Sequence, residues 1–180
     1  MKLDKNLNIV QPIETDTGTV YVHSAPIRRE TFKEFFLPLS KTLNAIYSEG
    51  LRTVTGPRIA GLMLREIGGE AITPLLNEIY RLTNVSALTP QGWQSVGLAD
   101  AVGQKYLTED EVEEAEGFIV FFTCVWHVHR KSEVSTFLQP MQAVWDVETT
   151  LLSATEYRAS LPILTETETL APLPPSSIPM

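Results

Sequence analysis

Residues 109–131 constrain the fold more than any other stretch. Glu109, Asp110, Glu111, Glu113 and Glu114 crowd together after Thr108, Phe118-Ile-Val-Phe-Phe-Thr-Cys-Val-Trp126 follows, and His127, His129, Arg130 and Lys131 close the segment. Acid first and base last is the arrangement that a helix macrodipole favours at its two ends. An apolar middle with no polar side belongs to a helix that has neighbours all round it. A central buried helix beginning at Thr108 is therefore expected. The alternative for Phe118–His129 is a strand, because its β-branched and aromatic residues suit one equally and Gly117 would mark the switch. The acidic residues 109–116 lack EF-hand spacing and its central glycine, and read as a solvated, dipole-matched first turn.

Ahead of this segment, Thr31 and Glu34 stand in the capping-box relation, followed by Phe32, Phe35, Phe36, Leu39, Leu43, Ile46 and Tyr47 as one apolar stripe at steps of three and four. Pro38 removes a bond to Glu34, so a kink is expected there, and Gly50 is the expected stop. Gly56-Pro57 reads as the start of a short helix carrying Ile59, Leu62, Met63 and Ile67, closed by Gly68-Gly69. Thr73-Pro74 opens another with Leu75, Leu76, Ile79 and Leu82, and Thr89-Pro90 reads as a third such start before Trp93 and Val96. A later helix is expected over Met141–Leu152, with Ser153-Ala-Thr-Glu156 as a second capping box. Extended structure is expected only near the start, where Ile9-Val10 to Ile13 and Val20, Val22 flank the turn residues Asp16-Thr17-Gly18.

After Leu161 the prolines at 162, 172, 174, 175 and 179 fall in a stretch with no basic residue and no aromatic, which reads as a disordered tail. The expected fold class is thus mainly α: a helical bundle (27–161) with a small N-terminal β-hairpin (1–26) and a disordered Pro-rich C-terminal tail (162–180).

A chain of 180 residues suits one domain, and its net charge of −8 restricts its partners. Basic residues adjoin only at Arg28-Arg29 and Arg130-Lys131, so neither nucleic acid nor an anionic membrane surface is an expected partner. The apolar run is too short to span a bilayer and Met1-Lys2-Leu3-Asp4-Lys5 lacks the core of a signal peptide, which points to the cytosol. Cys124 is the lone cysteine and reads as a buried small hydrophobe. His127 and His129 diverge on a helix, so they read as favourable imidazoles at its C-terminal end; on a strand they would share a face, with His23 as a third candidate. Gly56 and Gly61 have the spacing of a phosphate loop, but Leu62-Met63 stands where Lys-Ser/Thr is required. No nucleophile elbow or metalloprotease motif occurs. The expectation is a binding protein, with no catalytic residues, metal or cofactor. Phe32, Phe35, Phe36, Leu39, Leu43 and Tyr47, with Trp93 and Trp145, are the candidate partner-binding residues if they line a groove for a helical partner, and core residues otherwise. Surplus apolar stripes would also favour self-association.

The stretch from Glu109 through Trp126-His127-Val128-His129 to Ser153-Ala-Thr-Glu156 resembles the tail assembly chaperones of long-tailed, lambda-like bacteriophages. The likeness is local: a Phe/Val-rich segment, a Trp-His-x-His turn and an acidic helix, with only layout in common elsewhere. It implies a protein of the host cytoplasm, absent from the mature virion, that coats the tape-measure protein and helps to recruit tail tube subunits. It implies no catalytic residue. A structural virion component, such as a head-tail adaptor or tail-completion protein, is the alternative from another class.

Overall fold

The computed structural model describes residues 1–129 together with 133, 134, 136, 150–153, 155, 156 and 159. Its central element is α5 (Glu109–Val128), a helix that runs through Gly117 without a break. Thr108 caps it: the Thr108 hydroxyl accepts the Glu111 N–H at 3.3 Å, and the Glu111 carboxylate accepts the Thr108 N–H at 2.7 Å. These bonds satisfy donors that a helix start otherwise leaves open. From Ala115 to Trp126 every residue is buried.

Packed along α5 lies α3 (Arg52–Gly68), and the two backbones nearly touch. A Cβ at Gly117 would sit 2.5 Å from the Pro57 carbonyl oxygen and 2.7 Å from that of Arg58. One at Gly56 would sit 2.6 Å from Ile46 Cγ2 and 3.3 Å from the Phe121 ring. Glycine is what lets the helices approach this closely. The phosphate-loop spacing of Gly56 and Gly61 is therefore a helix-packing pattern. The expected helix start at Gly56-Pro57 is corrected: α3 begins at Arg52 and holds Pro57 inside it. Proline there forfeits one hydrogen bond near the helix start, and the packing around Gly56 retains the turn.

Before α3 come α1 (Arg29–Glu34) and α2 (Phe36–Ser48), which meet at Phe35, where φ is −100° and ψ is 17°. The break falls one turn ahead of Pro38, at the bond to Glu34 that proline cannot make. The expected capping box at Thr31 is not formed, because α1 starts at Arg29 with Arg28 as its cap and Thr31 lies inside it. Gly50 stops α2 as expected: at φ +73° it allows Leu51 N–H to reach the Ile46 carbonyl at 3.1 Å, and its own N–H reaches that of Tyr47 at 3.2 Å. Past Gly69 (φ +54°) a short 3₁₀ turn leads into α4 (Thr73–Arg81), with Pro74 in its first turn as read.

The expectation of a helical bundle with one small hairpin is overturned by the sheet. The expected hairpin is present as β2 (Ile9–Thr15) and β3 (Gly18–Ser24), closing on Thr15↔Gly18. However, β4 (Thr83–Thr89) pairs antiparallel with β3 through Val22↔Val85, and β5 (Gly92–Gly97) pairs antiparallel with β4. On the other side β1 (Lys2–Asp4) pairs antiparallel with β2, and β6 (Thr150–Leu152) runs parallel to β1. The order is β5-β4-β3-β2-β1-β6. Five antiparallel strands and one parallel strand thus span segments expected to be hairpin and helical body alike.

Two helix expectations fail for identifiable reasons. Thr89-Pro90 opens a turn, not a helix: Thr89 Oγ1 donates to the Gly92 carbonyl at 2.8 Å and accepts the Gln91 N–H at 3.2 Å, and Gly92 has φ +95°. Proline supplies the same φ at the first position of a helix and at the second position of a turn, so the dipeptide alone does not separate them. The helix expected over Met141–Leu152 ends in strand β6, while 141–149 lie outside the described residues. The Ser153–Glu156 capping box is formed, at 2.8 and 3.3 Å. Trp145 and the tail 162–180 lie outside the described residues.

Alternation along the strands turns Leu3, Ile9, Val20, Val22 and Val85 into one core with Phe118, Phe121 and Phe122 of α5. The opposite face carries Pro12, Tyr21, His23, Asn84, Leu88, Trp93 and Ser95.

Replacing Gly117 by Ala tests the helix contact. Helix propensity alone would stabilise by about 1 kcal/mol. Here the new methyl meets backbone, so a net loss of about 1–3 kcal/mol is expected, read as a lower melting midpoint by circular dichroism. An unchanged or higher midpoint would show that the helices do not approach so closely.

Candidate functional site

Glu116 follows the acidic first turns of α5 in sequence but stands one helical turn from Val112, Ile119 and Val120, on the stripe that faces α3. Its side chain is 1% exposed. Room for it exists because Gly61 of α3 has no side chain: a Cβ there would be 2.7 Å from Glu116 Oε1. One turn further along α3, Arg65 reaches back and donates from Nε to Oε1 at 3.0 Å and from a terminal nitrogen to Oε2 at 2.5 Å. Tyr80 of α4 donates its hydroxyl to the same Oε2 at 2.5 Å. The reading of 109–116 as wholly solvated is thus corrected at Glu116.

A carboxylate with little water is tolerated only when both oxygens are paired. Here a bidentate guanidinium and a phenol do so, which joins three helices at one point. The hydrogen bonds to Glu116 raise the Arg65 pKa against the opposing effect of burial. Burial, then the Glu116 hydrogen bond, pushes the Tyr80 phenol up to about 12. Arg58–Glu114, at 3.4 Å, is a second ion pair between α3 and α5. With both oxygens engaged by fixed donors, Glu116 is arranged as a cross-link and not as a proton-transfer group.

Two titratable groups further along α5, Cys124 and His127, are packed into the fold. Cys124 is buried with its thiol on the Leu39 carbonyl at 3.4 Å, and burial pushes its pKa up to about 12. His127 stacks on Phe32, with ring centres 4.4 Å apart and 20° between planes. Burial, then Arg29, lowers its pKa, so the charged imidazole expected at the helix end is disfavoured. His23 lies on β3 and burial lowers its pKa also. Among the described residues no three His, Cys, Asp or Glu side chains are placed to hold a metal ion.

The stripe proposed for partner binding divides at the α1–α2 break. Phe32, Phe35, Leu39 and Leu43 are buried in the core, and Tyr47 and Trp93 are half-buried, Trp93 leaning on Tyr21 at 5.8 Å. Phe36 is 50% exposed and Leu37, which the stripe omitted, 60%. Phe36 meets Phe32 edge-on at 5.8 Å, continuing the stack from His127 to the surface. Beside them Phe35, Leu37, Pro38, Ile67, Ala71 and Ile72 line a groove of ≈ 280 Å³, with Glu34 and Lys41 at its polar part. Helical periodicity placed the stripe, but the break at Phe35 changes the face, and only Pro38 signalled that.

Removing Arg65 as Arg65→Met should cost about 2–3 kcal/mol by urea denaturation, less than a wholly buried pair because the arginine side chain is 47% exposed. Adding Glu116→Leu should restore much of the loss, and failure to do so would mean that Glu116 is not held as an ion pair. At high pH, Tyr80 and Cys124 stay protonated in the folded chain after the unfolded chain has begun to release those protons, from about 10 and 9 respectively. Stability conferred by both is complete below pH 9 and declines as pH rises toward 12. The melting midpoint should follow that course, with its onset moved up toward pH 10 in Cys124→Ala and its decline reduced in Tyr80→Phe. A pH-independent midpoint over this range would contradict the burial of both groups.

No helix among the described residues is long and apolar enough to cross a membrane. The chain matches no family model, no curated protein and no solved structure at a significant level.

Proposed function

We propose that this chain is a protein-binding assembly factor, and specifically a tail assembly chaperone of a long-tailed bacteriophage. In this reading it works in the host cytoplasm, covers apolar helical faces of the tape-measure protein, helps to recruit tail tube subunits, and leaves before the particle matures. The observation that carries the reading is the adjacent pair Phe36-Leu37, at least half exposed beside a groove between helices. Exposed large apolar side chains next to a concave apolar surface are what an amphipathic helix needs in order to dock. The charge of −8 keeps such a protein soluble while it presents that surface. The local likeness of residues 109–156 to tail assembly chaperones supports the specific assignment; the layout does not, because the sheet departs from a helical body.

The test is co-expression with the tape-measure protein encoded by the same phage. The wild-type chain should keep that protein in the soluble fraction, and the double variant Phe36→Ser, Leu37→Lys should lose most of this effect. Both side chains are exposed, so the variant should melt within a few degrees of wild type, as surface changes usually cost about 0.5 kcal/mol or less. An unaffected partner in both cases, together with stoichiometric copies of this chain in purified particles, would favour the structural virion component instead.

A further inference from the structure

Residues 82–99 are the longest stretch of the chain without Asp, Glu, Lys or Arg, although one residue in five is charged overall. The fold places this stretch as the β4–β5 hairpin and puts β5 at the outer edge of the sheet, with β4 as its one neighbour among the described strands. The six pairs from Asn84↔Gly97 to Thr89↔Gly92 follow without a bulge. An edge of this kind is normally protected by a lysine, a proline or a bulge within the strand, and Gly92-Trp-Gln-Ser-Val-Gly97 has none of them. The hairpin closes on Thr89↔Gly92 with two turn residues, so Gly92, Gln94 and Val96 bond toward β4. Trp93, Ser95 and Gly97 then direct their N–H and C=O groups outward, where a further strand would satisfy them.

We propose that β5 pairs with β5 of a second copy of this chain, antiparallel about a two-fold axis at Ser95, to make one continuous sheet. Charge argues for a second copy as the occupant. Two chains of −8 repel each other, and they approach with least repulsion along residues 82–99, where neither carries a charged side chain; the nearest charge, the Asp100 carboxylate, stands at the far end of β5, 3.5 Å from where a Gly97 Cβ would lie. Symmetry then restricts the register. A two-fold axis normal to the sheet keeps the core face of both copies on the same side, so opposed residues must share a face. Centring on Ser95 sets Ser95 against Ser95 and Trp93 against Gly97 of the other copy. The Trp93 ring leans inward over β4 onto Tyr21, with ring centres 5.8 Å apart, and Gly97 has no side chain, so the backbone of a second copy can approach the edge at this pair. Leu88, 45% exposed and directly opposite Trp93 on β4, forms with Trp93 and Tyr21 an apolar strip on the outer face of each copy. This pairing uses a surface distant in sequence from Phe36-Leu37 and does not depend on the chaperone reading.

Light scattering of the purified full chain should give a mass about twice 20.1 kDa. Ser95→Lys places like charges opposite each other across the axis and should weaken the dimer by at least about tenfold, with an unchanged circular dichroism melt. Ser95→Cys should form a disulfide-linked dimer under mild oxidation, because two such residues would face each other within disulfide reach. The native Cys124 is buried and does not compete. Thr17→Cys, at the exposed β2–β3 turn, should remain monomeric on a non-reducing gel and controls for random collision. A monomeric wild type at about 100 μM, far above the Kd of a specific dimer, would overturn the proposal. A dimer that survives Ser95→Lys and gives no Ser95→Cys cross-link would overturn it equally, since the contact would lie elsewhere.

Discussion

The near-contact of α3 and α5 is the constraint on which the rest of the structure depends. Gly117 brings the backbone of α5 against the Pro57 and Arg58 carbonyls, and Gly56 admits Ile46 and Phe121 on the other side of the crossing. Only at that separation does Gly61 leave a space of the right size for Glu116, and only then does Arg65 reach it. Tyr80 ties α4 to the same point, and α4 leads directly into β4, so the position of the outer hairpin is coupled to the helix pair. A buried ion pair contributes little net stability compared with apolar packing, but it penalises any arrangement in which its partners are apart. In this chain that penalty falls on every register of α3 against α5 except one.

Much of this was legible in the sequence where a local rule has one meaning. Acid-first, base-last patterning identified α5, Gly50 marked the end of α2, Thr73-Pro74 opened α4, and Asp16-Thr17-Gly18 turned the first hairpin. The rules failed where they are degenerate. Thr89-Pro90 serves a helix start and a strand turn equally, and the alternation of Val85 and Ala87 against Asn84 and Ser86 was the signal that would have decided. Missing that hairpin converted a mixed α/β fold into a supposed bundle. Strand β6 could not be read either, because its pairing with β1 joins opposite ends of the chain and has no local signature.

The candidate site was harder still. Glu116 was hidden among acidic residues that are exposed or half-exposed, and only its one-turn spacing from Val112, Ile119 and Val120 set it apart. Arg65 gave no signal, since a lone arginine on a helix is ordinarily solvated. Of the Phe32–Tyr47 stripe, periodicity found the members but not the division between them: Phe32 and Phe35 serve the core, while Phe36 and the omitted Leu37 face outward because the chain breaks at Phe35. Among the described residues, the surfaces proposed for partners are an apolar step at the α1–α2 break and a strand edge at β5 that carries no charged side chain.

Native-state hydrogen exchange tests the primacy of that helix pair most directly. If α3 and α5 form the last unit to open, amides from Ala60 to Leu64 and from Phe118 to Val125 should exchange with one common free energy, equal to that of global unfolding. Exchange of the α3 amides at a free energy well below that of α5 would show that α3 detaches while the core survives, and would contradict the account.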